Sequence, residues 1–306
     1  MEEISSAIYD FVNTYVPEED ILLNELMSRH TTFRVGGEAS CFVKISSPAQ
    51  LAGLIPSLRE RGIPYFVLGN GSNLLVGDKG YQGVVLQTGS KMCGLAAEGK
   101  RIRAGAGALL SAVAKCAMEH ELTGLEFASG IPGTVGGGVM MNAGAYGGEM
   151  QQVVEQVSVL DEEGQIFTLD KDSMEFGYRT SIIKRKHLIV LEVVMALEAG
   201  DKREIAGRMK ELAEKRKEKQ PLEFASAGST FKRPEGYYAG KLIMEAGLKG
   251  YHVGDARVSE KHCGFVINTG KASAADVVAV INEVRRRVEE NSGVLLEPEV
   301  VFLGDF

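Results

Sequence analysis

Two glycine clusters carry the clearest chemical signal in this sequence. The first, GNGSN at residues 69–73, directly follows an apolar run at Tyr65–Leu68 that is typical of a strand. Glycines at such a point permit a tight turn that aims several backbone N–H groups at one anion, so a phosphate would fit there. The Rossmann fingerprint fails because Leu74 occupies its third glycine position, and the GK[ST] of a P-loop does not follow. The cluster therefore predicts a nucleotide site in a different fold.

The second cluster, SGIPGTVGGGVMMNAGAYG, spans residues 129–147. We predict Pro132 in the first turn of a helix whose unpaired N–H groups face a pyrophosphate. For either cluster alone, a glycine-rich turn without a ligand is an equal alternative. The occurrence of two such clusters favours a cofactor site, whereas the weaker Gly105-Ala106-Gly107 predicts a strand-to-helix turn.

A serine close to cationic residues is a further chemical feature. Ser229 lies in a Gly-Ser turn near Lys232 and Arg233, a setting that suits a hydroxyl delivered to a reactive carbon. A turn serine bonded to nearby backbone is the plainer interpretation. Arg216 and Lys219 end a charged helical segment, where cations often only complement the helix dipole. We nevertheless take Arg216 as a candidate for substrate contact.

Periodicity predicts the elements that position these residues, and their alternation indicates an α+β fold. The predicted strands are Cys41–Ile45, Tyr65–Leu68, Val84–Gln87, Val153–Leu160, Ile166–Leu169, Leu188–Leu197, Phe265–Asn268 and Glu299–Leu303. The predicted helices are Ile4–Tyr15, Pro48–Arg61, Leu109–Glu121, Lys202–Lys219, Tyr238–Ala246 and a long helix that starts at a Ser273/Asp276 capping box.

The composition limits the classes of protein to consider. With 306 residues, 44% apolar and 25% charged, the chain resembles an ordinary soluble protein of two or three domains. Its longest apolar stretch, Leu188–Leu197, is far below the roughly 20 residues of a membrane span. The acidic N-terminus lacks an apolar signal region, so we expect a cytoplasmic protein. A net charge of −7 without a basic stripe argues against nucleic acid, while a local cationic pocket remains compatible.

The four cysteines are Cys41, Cys93, Cys116 and Cys263. They form no CxxC and no Cys/His cluster, so neither a zinc site nor a redox pair is expected. We predict that they are buried free thiols and that the protein has no metal site.

Six segments, in order along nearly the whole chain, resemble UDP-N-acetylenolpyruvylglucosamine reductase. They are HTTFRVGG at 30–37, VLGNGSNLLV at 67–76, SGIPGTVGGGVMMNAGAYG at 129–147, YRTS at 178–181, AGSTFKRP at 227–234 and LEPEV at 296–300. The resemblance implies non-covalent FAD in a fold of the vanillyl-alcohol oxidase type, a C-terminal substrate domain, and NADPH as reductant. The implied reaction converts UDP-N-acetylglucosamine enolpyruvate to UDP-N-acetylmuramate in peptidoglycan precursor synthesis.

The implied reaction adds a hydride to one alkene carbon and a proton to the other, through an enolate-like state. By resemblance, Ser229 is the proton donor, and Arg179 and Glu299 stabilise the developing enolate. The short connection 181–186 after Arg179 indicates the family type that lacks a substrate-capping tyrosine loop. His262, in the motif EKHCGF, resembles a substrate-domain residue and is left out of the catalytic set.

The resemblance also implies the binding residues. Lys232, Arg233 and Arg216 are the candidates for substrate binding. Arg233 stands where relatives have Asn, so the resemblance leaves its role open, with the UDP phosphates as one option. The candidate FAD-binding residues are Gly69, Asn70, Gly71, Ser72, Asn73, Ser129, Gly130, Ile131, Pro132, Thr134, Gly136, Gly137, Asn142, Ala143 and Gly144.

We therefore predict an α+β fold with a two-part FAD-binding region of the vanillyl-alcohol oxidase type and a C-terminal α+β substrate domain. The predicted boundaries are 1–95 for the N-terminal helix and first FAD-binding subdomain, 96–200 for the second, and 201–306 for the substrate domain, whose last strand could return to the first subdomain. The expected partners are NADPH and the UDP-linked substrate, with no membrane insertion.

Two alternatives stay open on the sequence. An FAD-linked oxidase or dehydrogenase of a hydroxy acid or sugar lactone would share the cofactor fold, but AGSTFKRP and LEPEV argue against it. A non-catalytic FAD-binding protein is the other, and the presence of Ser229, Arg179 and Glu299 together argues against that.

Overall fold

In the computed structural model, which describes residues 8–306, the chain divides into two units that each draw on separate stretches of sequence. Unit 1 contains the residues up to Leu23, Cys41–Asn70 and Gly83–Arg216. Unit 2 contains Asn24–Ser40, Gly71–Gln82 and Lys217–Phe306. The three domains predicted at 1–95, 96–200 and 201–306 stay a prediction.

The described elements mix strands and helices along the whole chain. The strands are β1 (Ile21–Leu26), β2 (Glu38–Ile45), β3 (Tyr65–Leu68), β4 (Leu74–Val76), β5 (Tyr81–Thr88), β6 (Leu95–Glu98), β7 (Arg101–Gly105), β8 (Leu122–Thr123), β9 (Gly144–Ala145), β10 (Gly148–Glu149), β11 (Val154–Leu160), β12 (Ile166–Asp170), β13 (Ile189–Ala196), β14 (Glu198–Ala199), β15 (Ala225–Ser226), β16 (His252–Val253), β17 (Ala256–Val258), β18 (Val266–Asn268) and β19 (Val301–Leu303). The helices are α1 (Pro48–Glu60), α2 (Leu110–Glu119), α3 (Val135–Met140), α4 (Ile182–Arg185), α5 (Lys202–Lys219), α6 (Ala239–Glu245) and α7 (Ala274–Ser292).

Unit 1 has two hydrophobic cores, each formed between a sheet and helices. One core lies between α1, the helical residues 8–12 and strands of the four-stranded sheet β1-β2-β5-β3, in which β3 and β5 run parallel. The other core lies between α2, α3 and the antiparallel sheet β12-β11-β13-β7-β6. One face of β11 and the apolar face of α2 contribute their side chains to this core. The loops between these elements lie outside the core and can carry polar residues.

Unit 2 is organised around α7 and the antiparallel sheet β15-β18-β17-β16. The capping box of Ser273 and Asp276 starts α7, and each side chain bonds the other residue's backbone N–H. Val277, Val280 and Ile281 then recur at the spacing that keeps one helix face in the core. The last strand, β19, pairs in parallel with β4.

The structure confirms most of the predicted elements, because local periodicity already encodes them. The bounds of α5 and the capping box of α7 match the sequence prediction, and the turn Gly105-Ala106-Gly107 connects β7 to α2. Of the predicted N-terminal helix, residues 8–12 are helical, whereas Ile4 lies outside the described residues. No helix among residues 8–306 is long and apolar enough to span a membrane.

The cysteine prediction was correct for only two of the four thiols. Cys41 and Cys263 are buried, and burial raises the pKa of Cys41 to about 12. Cys116 is half-buried and Cys93 is exposed, with the Cys93 thiol donating to Ser90 O at 2.8 Å. Cys93 follows a short helical turn at the surface, a position that sequence spacing does not reveal.

Candidate active site

The first glycine cluster forms the loop after β3. Gly71 has φ of +60°, in the left-handed region, and a Cβ atom there would overlap the carbonyl oxygen of His30. The Gly71 carbonyl oxygen accepts a hydrogen bond from Thr32 N–H at 3.2 Å. A side chain at this position would be both strained and sterically blocked, so the loop requires glycine here.

Four consecutive backbone N–H groups of this loop are available to a ligand. Within residues 8–306, the N–H groups of residues 70–73 donate no hydrogen bond to another protein group. Backbone N–H groups that turn inward are normally paired, and a turn that presents several of them is a typical anion site. Gly71 is buried, and Ser72 and Asn73 are half-buried. The loop therefore fits a phosphate of FAD, and its assignment to the cofactor stays a prediction.

The second glycine cluster differs from the prediction at its helix. α3 begins at Val135 with Thr134 as its N-cap, so Pro132 lies two residues before the cap. The first N–H groups of α3 are already used: those of Val135 and Gly136 donate to carbonyl oxygens of the turn 106–108 at 2.8 and 2.9 Å. Because these donors are paired within the protein, the prediction that they face a pyrophosphate is wrong.

The two clusters meet within unit 1. The Asn70 side chain donates from Nδ2 to Pro132 O at 2.6 Å. A Cβ atom on Gly69 would overlap Oγ1 of Thr134, which explains why the smallest residue stands there. These contacts bring Gly69 and Asn70 against the second cluster. The assignment of residues 129–144 to FAD stays a prediction.

Arg216, near the end of α5, lies against the second cluster in unit 1. Its Nη1 is 3.1 Å from the position that a Cβ atom of Gly130 would occupy. Burial lowers the pKa of the Arg216 guanidinium, and the nearby Tyr146 raises it. Among the residues that the structure describes, this guanidinium has no hydrogen-bond or ion-pair partner. A partly desolvated cation without an acid beside it suits an anionic ligand, which supports the predicted substrate contact.

Arg179 occupies the tip of a tight turn in unit 1. Gly177 and Thr180 exchange backbone hydrogen bonds of 3.0 and 3.3 Å, which leaves Tyr178 and Arg179 as the two central residues. Arg179 has φ of +56°, a conformation that turns usually assign to Gly or Asn. Its guanidinium carbon is 5.2 Å from the centroid of the Tyr178 ring. A non-glycine residue keeps this conformation only where its surroundings hold it there.

Unit 2 places Ser229 and Glu299 on two short segments, 229–232 and 297–299, that pair in antiparallel fashion. The Glu299 N–H donates to Thr230 O at 2.8 Å. Ser229 Oγ donates a weaker hydrogen bond of 3.3 Å to the backbone of its own segment. Thr230 therefore lies opposite Glu299 in this backbone ladder, and Ser229 is the next residue along the same segment.

Thr230 is the fully buried centre of this ladder. Its N–H donates to Gly264 O at 2.8 Å, and its Oγ1 accepts a hydrogen bond from Val266 N–H at 2.9 Å. Its carbonyl oxygen accepts from Glu299 N–H. Because every polar group of Thr230 has a partner, the backbone next to Ser229 is held on both sides.

Replacing Thr230 with valine should lower the free energy of unfolding by about 1–3 kcal/mol, because the Val266 N–H is left buried without an acceptor. Thr230→Ser keeps the hydroxyl and is the matched control, with a smaller expected loss of about 0.5–1.5 kcal/mol for the missing methyl group. Equilibrium urea unfolding measures both. A valine variant as stable as the serine variant would contradict this role for the Thr230 hydroxyl.

The side chains of Lys232 and Arg233 contact other protein groups close to the surface of unit 2. The Lys232 ammonium forms an ion pair with Glu297. The Arg233 guanidinium carbon lies 4.1 Å from the Tyr238 ring centroid, and its Nε donates to Tyr237 O at 3.2 Å. A substrate phosphate would compete with Glu297 for Lys232. The assignment of both cations to substrate stays a prediction.

His262, which was left out of the catalytic set, bonds the backbone of its own loop. Its Nδ1 accepts a hydrogen bond from Gly264 N–H at 3.1 Å, and its ring centroid is 5.0 Å from that of Phe265. Burial lowers the pKa of His262. A Cβ atom on Gly264 would lie 3.6 Å from Ser229 Oγ, so this loop packs close to the hydroxyl.

The chain matches known families over most of its length. Residues 39–170 match a family model described as FAD binding domain, and residues 220–303 match one described as UDP-N-acetylenolpyruvoylglucosamine reductase, C-terminal domain. A relative named UDP-N-acetylenolpyruvoylglucosamine reductase, from Caldanaerobacter subterraneus subsp. tengcongensis, is 51% identical over 302 residues. The match covers 99% of this chain and 100% of the relative. Another from Clostridium novyi is 51% identical over 294 residues, covering 96% of this chain and 95% of the relative.

A solved structure agrees with these matches. The crystal structure of UDP-N-acetylenolpyruvylglucosamine reductase from Thermus caldophilus is similar with a TM-score of 0.78 and 39% identity, covering 92% of this chain and 98% of that chain. The α+β fold, with an FAD-binding region and a C-terminal domain of the reductase family, is confirmed. The resemblance carried by the six motifs is likewise confirmed, and the chain belongs to the UDP-N-acetylenolpyruvoylglucosamine reductase family.

Proposed function

We propose that the protein reduces UDP-N-acetylglucosamine enolpyruvate to UDP-N-acetylmuramate with NADPH, as a cytoplasmic step of peptidoglycan precursor synthesis. Family membership at 51% identity over 99% of the chain supports the substrate class. When bound, FAD supplies the hydride chemistry that links NADPH to the alkene. The unpaired N–H groups of residues 70–73 fit its phosphates.

The protein's own residues then manage the proton and the charge. Ser229 Oγ holds the proton that the substrate carbon receives. A serine is a weak acid, but the carbon of an enolate is a strong enough base to take its proton. The guanidinium of Arg179 and the carboxyl group of Glu299 act on the substrate carboxylate, where negative charge develops. Arg216 provides a cation for an anionic part of the substrate.

One observation carries this proposal furthest: the backbone ladder that makes Ser229 and Glu299 neighbours. Proton donation and enolate stabilisation must act on adjacent atoms of one small group, so their side chains need a common rigid support. The bond from Glu299 N–H to the buried Thr230 provides that support.

The direct test is anaerobic NADPH oxidation by the FAD-loaded protein, with and without UDP-N-acetylglucosamine enolpyruvate. We expect rapid and sustained oxidation only with this substrate, and a product heavier by two hydrogens, because the alkene becomes saturated. Mass spectrometry of the nucleotide fraction identifies it. The matched control is UDP-N-acetylglucosamine, which lacks the alkene.

The same assay separates the alternatives. If hydroxy acids or sugar lactones bleach the flavin while NADPH with the enolpyruvyl substrate gives no product, the protein is an oxidase or dehydrogenase. If bound FAD responds to none of these compounds, the protein binds the cofactor without catalysis. Either result would overturn the proposed function.

A further inference from the structure

We propose that Asn73 and Asn142, two asparagines of the predicted FAD-binding segments, are positioning residues whose side chains hold the backbone beside Glu299 and Arg179. The inference rests on the proposed function for the roles of Glu299 and Arg179. It changes the assignment of the two asparagine side chains from cofactor contact to support of the catalytic residues.

Asn73 completes the restraint on the Glu299 backbone within unit 2. The Asn73 side chain donates from Nδ2 to Glu299 O at 3.0 Å. The Glu299 N–H already donates to Thr230 O at 2.8 Å, so both polar backbone groups of Glu299 are bonded. The Asn73 carbonyl oxygen also accepts from Val301 N–H at 2.9 Å. The carboxyl group of Glu299 therefore projects from a backbone fixed on both sides.

The backbone N–H and the side-chain amide of Asn73 have different partners. Its backbone N–H is one of the four unpaired groups of the loop 70–73 and is free for a phosphate. Its side-chain amide is used on Glu299. A phosphate held by the loop would thus contact the same residue whose side chain restrains Glu299. This arrangement ties the position of the carboxyl group to the cofactor loop.

Asn142 does the corresponding work for Arg179 within unit 1. Its side chain is buried, at 1% exposure, and all its polar atoms are used. Nδ2 donates to Gly177 O and to Glu149 Oε2, both at 3.1 Å, and Oδ1 accepts from Gln151 N–H at 2.9 Å. No side-chain donor is left to point at a cofactor.

The bond to Gly177 matters because of the strained turn that follows. Gly177 is the first residue of the turn that holds Arg179 at φ of +56°. A non-glycine residue keeps such a conformation only where its surroundings over-determine it. Asn142 itself has φ of +43°, which Asn tolerates better than most residues. The buried amide of Asn142 therefore anchors the base of the Arg179 turn.

Asn73→Ala is the first test, with Asn70→Ala as its matched control in the same loop. Asn70 also donates to a backbone carbonyl, but to Pro132 of the second glycine cluster. In FAD-saturated Asn73→Ala we expect reoxidation by the enolpyruvyl substrate to slow about 10- to 100-fold, as for a small misplacement of a reacting group. Flavin reduction by NADPH and the Kd for FAD should stay within about threefold. Asn70→Ala should instead raise the Kd for FAD.

For Asn142, the sharper variant is the double exchange Asn142→Asp with Glu149→Gln. It keeps net charge, the left-handed backbone and a hydrogen bond between the two side chains, and removes the donor to Gly177 O. We expect substrate reoxidation of the flavin to slow about tenfold or more, with flavin reduction by NADPH unchanged. Glu149→Gln alone is the matched control and should leave both half-reactions within about threefold.

Amide hydrogen exchange gives a readout independent of activity. Asn73→Ala should speed exchange of the Glu299 and Val301 N–H groups while exchange in α7 stays unchanged. Equal slowing of both half-reactions, a large rise in the Kd for FAD in Asn73→Ala, or unchanged exchange at Glu299 would each overturn the inference. If wild-type flavin is not reoxidised by the substrate, the proposed function fails, whereas the exchange and FAD-binding results still decide the role of Asn73.

Discussion

The Ser229→Ala protein should be reduced by NADPH at a near-normal rate and be reoxidised by UDP-N-acetylglucosamine enolpyruvate about 10²- to 10⁴-fold more slowly. The substitution removes the proposed proton donor and only a 3.3 Å hydrogen bond to backbone. The first half-reaction needs no proton from Ser229, whereas the second places a proton on the substrate carbon. Stopped-flow absorbance of the flavin follows both halves separately.

Two further measurements make this result specific to the hydroxyl of Ser229. Ser226→Ala, on β15 three residues earlier, is the matched control and should leave both half-reactions unchanged. Thermal unfolding of Ser229→Ala should stay close to that of the wild type, because the buried anchor of the segment is Thr230. Equal slowing of both halves would indicate a structural serine, and a normal second half would remove Ser229 from the mechanism.

Gly71→Val should reduce the affinity for FAD about 10- to 100-fold, equivalent to roughly 1.4–2.7 kcal/mol. Valine at φ of +60° is strained, and its Cβ would overlap the His30 carbonyl oxygen, so the loop must open. Opening the loop disperses the N–H groups of residues 70–73. Because the overlap is with backbone atoms, we also expect some loss of stability.

Gly62→Val separates the two causes. Gly62 has φ of +63°, nearly that of Gly71, but open space where its Cβ would lie. This control should show the strain of valine in the left-handed region with no change in FAD affinity. The affinity is measured by fluorescence titration of the apoprotein with FAD. Denaturation of the wild-type holoprotein should release FAD intact, because the cofactor is expected to be non-covalent. Equal FAD affinity in Gly71→Val and wild type would contradict the assignment of the loop.

The elements and the family could be read from sequence because their signals are local. The face of α7, with Val277, Val280 and Ile281 at helical spacing, and its Ser273 capping box depend on residues a few positions apart. The bounds of α5 were predicted for the same reason. The six motifs added the reaction class, and with it the catalytic candidates Ser229, Arg179 and Glu299.

Predictions that depended on distant partners were less successful. Pro132 looked like the start of an anion-binding helix, but the turn 106–108, distant in sequence, accepts the hydrogen bonds of the first N–H groups of α3. Cys93 was expected to be buried, yet its exposure depends on what packs over the loop after β5. In both cases the sequence gives the residue type, whereas the environment of the residue depends on segments that are distant in the chain.

The sequence by itself determined the α+β character, the family, and which residue types could hold a phosphate or move a proton. Only the tertiary structure decided that Ser229 and Glu299 share one ladder through the buried Thr230. It also decided that the side-chain amides of Asn73 and Asn142 bond the backbone of Glu299 and of Gly177. The physical reason is that a side chain's hydrogen-bonding capacity is a local property, whereas its partner is chosen by the packing of segments far apart in the chain.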